Sequence, residues 1–384
     1  MLISLLTEEE YSRLKIWVLA PSLVTNDPNI DYYYDFSQSI EEYTRVFESL
    51  NIQWQWQPVT MEDYSAIITN ILDEKQSETF FPIVLNLCDG DEINGTPGIS
   101  VVQLLESSGL IYTGADEYFY QITTSKIPMK KAFDEAGVST ATWRSILKPE
   151  DATQSVLTSL GSPLIVKPAV SGGSMGVGIR NVVSTEAELK EQVLQMFKGY
   201  RGWNLAADGM IAEQFIQGPE FTTMIVGSWY DPHHCMVYDA VERVFHSSLP
   251  EKEKFLSFDR LWEIYEEETP MPSDEHFYEY RKAADSLQES IRSMSLAAFL
   301  AVKGTGYTRV DIRQDANTGK LFVLEVNAQC GLSEDEDYTS IGAILKVNNE
   351  SFTTLIQTIL SEAVQRFKLK QTERNQMTPV HAGY

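Results

Sequence analysis

The chain has 384 residues, 43% hydrophobic and 11% aromatic, the balance of a folded protein too long for one simple core, so two or three domains are expected. A formal net charge of −25 argues against a nucleic-acid backbone or an anionic membrane as main partner, while leaving room for local cations that face phosphates. Three cysteines, Cys88, Cys235 and Cys330, lack metal or disulfide spacing, and no run reaches the ~18 to 20 apolar residues of a membrane helix, so a reducing, cytoplasmic setting is expected.

The opening "MLISLLTEEEYSRLK" has acids after a very short apolar patch and no cationic lead, and reads as a short N-terminal helix, not a secretion signal. "KIWVLAP" (15–21) is a buried-type strand, "SIEEYTRVFESLNI" a helix, and "FPIVLNLCDG" (81–90) a strand running into a polar loop. "GISVVQLLESSGL" is a helix and "IYTG" a short strand. Strands alternating with helices indicate a parallel sheet, on which ligands gather at the strand C-termini, and the loop "NLCDGDEING" offers Asp89, Asp91 and Glu92 there.

Next, "TTSKIPMKKAFDEAGV" predicts a helix with a Thr/Ser cap, ending at Gly137. "SPLIVKPAVSGGSMGVGIRNV" (162–182) is strand, Gly/Ser loop, strand, and "MIAEQFIQGPEFTTMIVG" (210–227) is strand, turn, strand. Residues 243–290 are charged and irregular, with a helix expected at "EYRKAADSLQESIRSMSLAAFLAV". "YTRVDIR", "DANTG" and "KLFVLEVN" then form a hairpin, "SFTTLIQTILSEAVQRF" a terminal helix, and the polar "KLKQTERNQMTPVHAGY" a loose tail. The second half continues by hairpins rather than crossovers and looks α+β.

Three constellations carry chemistry. The glycine-rich loop after Lys167 lets backbone N–H groups approach phosphate oxygens, although its pattern is neither a P-loop nor a dinucleotide fingerprint. An ordinary flexible hairpin tip is the plainer alternative; Lys167 inside an apolar strand favours an anionic ligand. Glu213 and Glu220 flank a Gly-Pro turn, where they either sit in water or bond an adenine amino group and ribose hydroxyls. Alternation in the hairpin puts Arg309, Asp311 and Arg313 on one face and Val323, Glu325 and Asn327 on one face of the partner strand. Asp311, Glu325 and Asn327 supply the hard oxygens that Mg²⁺ prefers, Arg309 a cation for a phosphoryl group or oxyanion, and Gly331 an unhindered N–H. Charges turned to water are the alternative.

These blocks, in order over roughly residues 80–360, resemble the ATP-grasp superfamily and, within it, the D-alanine–D-alanine ligase branch: "NLCDGDE", "YTG", "SKIPMKK", "LIVKPAVSGGSMGVG", "AEQFIQGPEFTTMIVG", "TRVD" and "VLEVNAQCGL". The resemblance implies a mixed α/β and α+β fold of three domains. These are an N-terminal parallel-sheet substrate domain (16–122) after an extension (1–15), a central lid domain (123–209), and a C-terminal antiparallel-sheet catalytic domain (210–369) before a flexible tail (370–384). It implies ATP and two Mg²⁺ ions, with Mn²⁺ as a substitute. Lys126 and Lys167 look like the phosphate lysines, and Ser171, Gly172, Gly173 and Ser174 belong to the loop that closes over the phosphates. Glu213, with the Phe215 and Ile216 backbone, resembles the adenine site, and Glu220 the ribose ligand. Asp311, Glu325 and Asn327 look like the metal ligands, and Arg309 and Gly331 like the groups holding the acyl phosphate. Residues 243–258 resemble a loop that covers the substrates, with Lys252 or Lys254 contributing a charge.

The implied activity is ATP-dependent joining of a carboxylate to an amine through an acyl phosphate, on amino acids or amino-acid-like metabolites. Asp89, Glu92 and Ser340 are substrate candidates, and a homodimer is a further expectation from the family. Two stretches depart from the usual pattern. "APSLVTNDPNIDYYYDFSQSI" lacks a glycine-serine-glutamate turn, and "GLSEDEDYTSIGAIL" is long and acidic. Glu334, Asp335, Glu336 and Asp337 either form a solvated run or favour a cationic amine over a second carboxylate. D-alanyl-D-alanine synthesis, and a nucleotide-binding regulatory protein without turnover, therefore stand as alternatives.

Overall fold

The computed structural model describes residues 2–23, 35–265, 268–271 and 276–377. Leu14–Pro21 (β1), Gln53–Val59 (β2), Phe81–Asn86 (β3) and Ile111–Tyr112 (β4) form a parallel sheet in the order β2-β1-β3-β4. Every residue of β1 is buried, because both faces are covered. Ile16 and Val18 enter a core with Tyr43 and Phe47 of the helix Ser37–Leu50. Trp17 and Leu19 enter another with Val102 and Leu105 of the helix Ile99–Ser108. The sheet order reverses between β1 and β3, so the loop after β3 places Asp89 at a switch point, where ligand crevices form.

Trp143–Ile146 (β5), Leu164–Pro168 (β6), Val182–Val183 (β7) and Met210–Gln214 (β8) make a second, antiparallel sheet ordered β5-β8-β6-β7. It keeps a core of its own, where Ile146, Val166 and Met210 meet Leu160 and Val193 of the helices Gln154–Leu160 and Glu186–Phe197. Glu220–Ser228 (β9), Met236–Val237 (β10), Val241–Phe245 (β11), Tyr278–Lys282 (β12), Thr305–Gln314 (β13) and Leu321–Ala328 (β14) make the third sheet. Its order is β12-β11-β9-β13-β14, with β10 on β9. This sheet shares both cores of the first: Val310 and Ile312 join Trp17, while Met224 and Tyr307 join Ile16. The molecule is thus a two-sheet block and a smaller, separately cored block.

Several expectations are corrected. Strands β8 and β9 do not pair; the Gly-Pro turn between them carries the chain from the second sheet to the third. The central sheet therefore runs past residue 209 to Gln214. A β-bulge sets Asp311 opposite Glu325 but Ile312 opposite Val323, leaving Leu324 as the extra residue. Val323 consequently turns into the core beside Ile312 and leaves the face that holds Glu325 and Asn327. "EYRK" belongs to β12, which pairs with β11 across the irregular stretch, and the helix begins only at Asp285. The N-terminal helix is two pieces, Ile3–Leu5 and Glu8–Ser12, and the terminal helix continues from Phe352 to Met377, through much of the expected tail. Residues 24–34 and 378–384 lie outside the described residues. Among the described residues no helix is long and apolar enough to cross a membrane.

Where the first and third sheets meet, the backbone leaves no room for a side chain. Gly306, at φ +75°, would place a Cβ 2.3 Å from the Gly114 carbonyl oxygen. Gln329 clamps the same corner, accepting from the Ala115 N–H and donating to the Asn86 carbonyl, each at 2.8 Å. Gly306→Ala should cost on the order of 3 kcal/mol and lower the thermal midpoint by several degrees. An unchanged melting curve would show that this corner can open.

Candidate active site

The candidate site lies where the second sheet meets the third. On the second-sheet side, Ser125 caps the helix Lys126–Ala136, and the Lys126 N–H donates to the Ala169 carbonyl just past β6 at 2.8 Å. This fixes the helix start beside the glycine-rich loop: Lys126 Nζ donates to the Ser171 carbonyl at 3.3 Å. One turn on, Lys130 is fully buried, its Nζ 2.9 Å from Glu213 Oε2 and 2.6 Å from Thr140 Oγ1. Lys167 on β6 reaches Glu213 Oε1 at 2.7 Å from the neighbouring strand β8. Burial alone would push the Glu213 carboxyl up, but Lys130 and Lys167 together hold it down at about 2. The lysines answer differently. Burial pulls Lys130 down, while for Lys167 attraction to Glu213 outweighs burial and raises it.

On the third-sheet side, the bulged hairpin presents Arg309, Asp311, Glu325 and Asn327 together. Arg309 Nε donates to both Asp311 oxygens at 3.1 and 3.2 Å, and Nη2 donates to Oδ2 at 2.9 Å. Asn327 Nδ2 reaches the same Oδ2 at 3.0 Å. Burial opposes the charge of Asp311, but Arg309 and then Arg243 hold its carboxyl below the usual range. Lys126 Nζ, at the start of its helix, stands 3.5 Å from Glu325 Oε2 of the third sheet.

Two carboxylates and one amide oxygen are a donor set suited to Mg²⁺, which takes one or two carboxylates plus nucleotide phosphates instead of an all-protein cage. Among the described residues no cluster of three or more His, Cys, Asp or Glu able to hold a metal occurs. A cation here must compete with Arg309 for Asp311, and Asn327 must turn its Oδ1 inward.

Across the third sheet, Arg243, Glu220 and Arg313 lie side by side in register on β11, β9 and β13. Arg243 binds Glu220 Oε1, and Arg313 Nη2 reaches Oε2 at 2.7 Å, so two guanidiniums already hold the expected ribose ligand. Phe215 donates its N–H to the Pro163 carbonyl at 3.1 Å, and the Ile216 carbonyl accepts from Arg313 Nη1 at 3.2 Å. In the loop, Gly173 and Ser174 take left-handed φ values of +55° and +63°. A Cβ built on Gly172 or Gly331 would meet nothing within 4 Å, which leaves both backbones open to a ligand.

Other candidates sit elsewhere. Asp89 is exposed on the loop after β3, and the surrounding protein mass, by desolvating it, pushes its carboxyl up to about 6. Glu92 caps a helix instead, accepting from the N–H groups of Gly98 and Ser100 at 3.1 and 2.6 Å and from the Ser100 hydroxyl at 2.8 Å. Ser340 is buried in the first turn of the helix Ser340–Val347. Lys254 Nζ pairs with Glu251 at 2.5 Å. The acidic run is mostly balanced: Glu334 pairs with Arg45, Glu336 with Lys346, and Asp335 accepts from the N–H groups of Asp337 and Tyr338. Sequence reasoning missed Lys130 and Arg243. Lys130 lies four residues after Lys126, hence on the same helix face, and that spacing was the available signal.

Comparison with known proteins agrees with this geometry. The family described as "D-ala D-ala ligase C-terminus" matches residues 132–361. A D-alanine–D-alanine ligase of Xanthomonas axonopodis pv. citri is 28% identical over 74% of this chain and 79% of its own length. One of Geobacillus thermodenitrificans is 27% identical over 78% of this chain and 73% of its own. A crystal structure of the Bacillus anthracis D-alanine–D-alanine ligase complexed with ATP superposes with a TM-score of 0.63 at 20% identity, covering 93% of this chain and 99% of that one. The Coxiella burnetii enzyme gives 0.64 at 16% identity over 94% and 98%. The chain belongs to the D-ala D-ala ligase C-terminus family and is a carbon–nitrogen bond-forming ligase with the three-domain ATP-grasp fold.

Proposed function

We propose that this ligase joins two molecules of D-alanine at the expense of ATP, with Mg²⁺ as cofactor. The observation that carries the ATP chemistry is the meeting of Lys126 and Lys130 on one helix and Lys167 on β6 with Asp311, Glu325 and Asn327 on the third sheet, drawn together by the Lys126–Glu325 pair at 3.5 Å. The choice of D-alanine is supported by the named relatives. It is also supported by the pairing of Glu334 and Glu336 with Arg45 and Lys346, which removes the main reason to expect a cationic amine. A different small amino-acid pair is the second reading, favoured by the missing glycine-serine-glutamate turn after β1.

In this reading a carboxylate oxygen of the first substrate takes the γ-phosphoryl group, releasing ADP. The second substrate's amine then attacks the acyl carbon, phosphate leaves, and the nitrogen loses a proton. Lys126 and Lys167 hold the nucleotide phosphates, with Ser171, Gly172, Gly173 and Ser174 supplying the loop over them. Glu213 keeps Lys167 in place and, with the 215–216 backbone, lies at the adenine. Glu220 orients the two arginines that border the ribose. Asp311, Glu325 and Asn327 would hold Mg²⁺, which neutralises charge on the transferring group. Arg309 and the Gly331 N–H hold the acyl phosphate and the tetrahedral oxyanion, and Asp89, exposed on the loop after β3, contacts substrate.

Purified protein with Mg-ATP and D-alanine should release phosphate and yield the mass of the dipeptide. Turnover only with another amino-acid pair would establish the second reading, and ATP binding without any condensed product would defeat both. Asp311→Ala or Glu325→Ala should retain the circular-dichroism spectrum and lose roughly 100-fold or more of turnover. Wild-type rates in both would remove the metal assignment.

Glu213 also predicts a pH dependence. Its folded pKa of about 2 lies below the ordinary 4.5, so its stabilisation is complete above 4.5 and is lost as pH falls toward 2. The stability gap between wild type and Glu213→Gln in urea should be widest near neutrality and close over that window. A gap independent of pH would mean that the carboxylate is not ionised between its lysines.

A further inference from the structure

A strap of chain crosses from one block to the other beside the candidate site. At its far end it is bonded to the glycine-rich loop. The Phe258 N–H donates to the Val177 carbonyl at 2.8 Å, Trp262 Nε1 donates to the Gly173 carbonyl at 2.8 Å, and Glu268 Oε1 accepts from the Ile179 N–H at 2.9 Å. Phe258 and Trp262 also pack with Met175 and Leu205. Its near end lies over the segment that links the two sheets: Phe255 packs edge-on against Phe215, 5.8 Å between ring centres, together with Ile165 and Val177.

One side chain of the third sheet gathers this end. Arg313, on β13, donates from Nη2 to the Lys254 carbonyl at 2.5 Å and to Glu220 Oε2 at 2.7 Å, and from Nη1 to the Ile216 carbonyl at 3.2 Å. Its guanidinium lies over the Phe215 ring, 5.6 Å from the centre. The strap, the inter-sheet linker and the catalytic sheet therefore converge on one planar cation, only 4% exposed. Glu220 holds that cation in place, and Arg243, braced by the Tyr280 hydroxyl at 3.1 Å, holds Glu220. A planar fork with fixed donors can serve several acceptors at once; an ammonium of the same charge is a point donor that cannot span them in this geometry.

We propose that Arg313 is a positioning residue that fastens the strap and the Ile216 linker to the catalytic sheet as one unit, so that the strap seals the crevice only when the linker is correctly seated. It acts through Lys254 and Ile216 and need not touch substrate. Because acyl phosphates hydrolyse, a strap that fails to seal converts synthesis into wasted ATP. The meaning of that leak rests on the ligase reading above; the fastening itself does not.

The experiment compares wild type, Arg313→Met, Arg313→Lys and Trp262→Phe. The last removes only the indole bond at the other end of the strap and guards against an Arg313 variant that fails to fold. Trypsin cleavage within 252–260 is followed with and without Mg-ATP, and phosphate release is measured against condensed product. Wild type should be protected and release about one phosphate per amide bond. Arg313→Met should be cleaved about 10-fold faster and release several phosphates per bond, with a KM for ATP raised about 10-fold and kcat much less affected. Arg313→Lys should not restore coupling, and Trp262→Phe should show the same faster cleavage in milder form. Wild-type protection and coupling in Arg313→Met would overturn the proposal, as would full rescue by lysine, which would reduce the role to charge. If wild type makes no amide product, the ligase reading fails, while the cleavage data still decide whether Arg313 fastens the strap.

Discussion

The buried carboxylate of Glu213 is the constraint around which the candidate site is organised. Two lysines reach it from two elements, Lys130 from a helix and Lys167 from the adjacent strand, and all three groups are largely withdrawn from water. Removing one member of such a set leaves a buried charge unmatched, at a cost of about 3–5 kcal/mol, so the helix and the sheet are held in one relative placement. That placement carries Lys126, one turn earlier, to the edge of the second sheet, where it meets Glu325 of the third. The approach of Lys126 to Glu325 thus follows from an ion triad on Glu213.

The third sheet solves the complementary problem. It must present acids and bases on one face while anchoring the largest cores on the other. Strand β13 does so by plain alternation, with Val310 and Ile312 buried behind Arg309, Asp311 and Arg313. Strand β14 does so only with a bulge, which returns Val323 to the core while keeping Glu325 opposite Asp311. Every cation on the working face is matched by an acid: Arg309 by Asp311, and Arg243 and Arg313 by Glu220. Pairing of this kind keeps long side chains ordered before any ligand arrives, which reduces the reorganisation demanded at the chemical step.

Much of this could be read from residue order. The buried strands β1 and β3, the capped helix starting at Lys126, and the hairpin with Arg309, Asp311, Glu325 and Asn327 all follow from local periodicity and turn chemistry. What escaped was non-local. Nothing in "QFIQGPEF" distinguishes a hairpin turn from a passage between sheets, because that depends on the partners of β8 and β9. Strands β11 and β12 pair across more than thirty residues and look irregular when read separately. The bulge at Leu324 is invisible to alternation, since it is a break in alternation. Glu220 matches a ribose ligand by motif, yet only its neighbours in register reveal that two arginines hold it.

The division of the apolar interior has a mechanical consequence. Because the second sheet encloses its own core, parting the two blocks does not split either of the large cores. The seam includes Phe255 against Phe215, Ile165 and Val177, and also the buried pair of Lys130 with Glu213, because the Lys130 helix packs Met129 and Phe133 into a large core while Glu213 belongs to the second sheet. Opening that seam exposes few apolar side chains but must break a buried ion pair, so its cost is electrostatic more than hydrophobic. Separation of the blocks would thus depend on the pairing of Glu213 more than on the packing of the large cores.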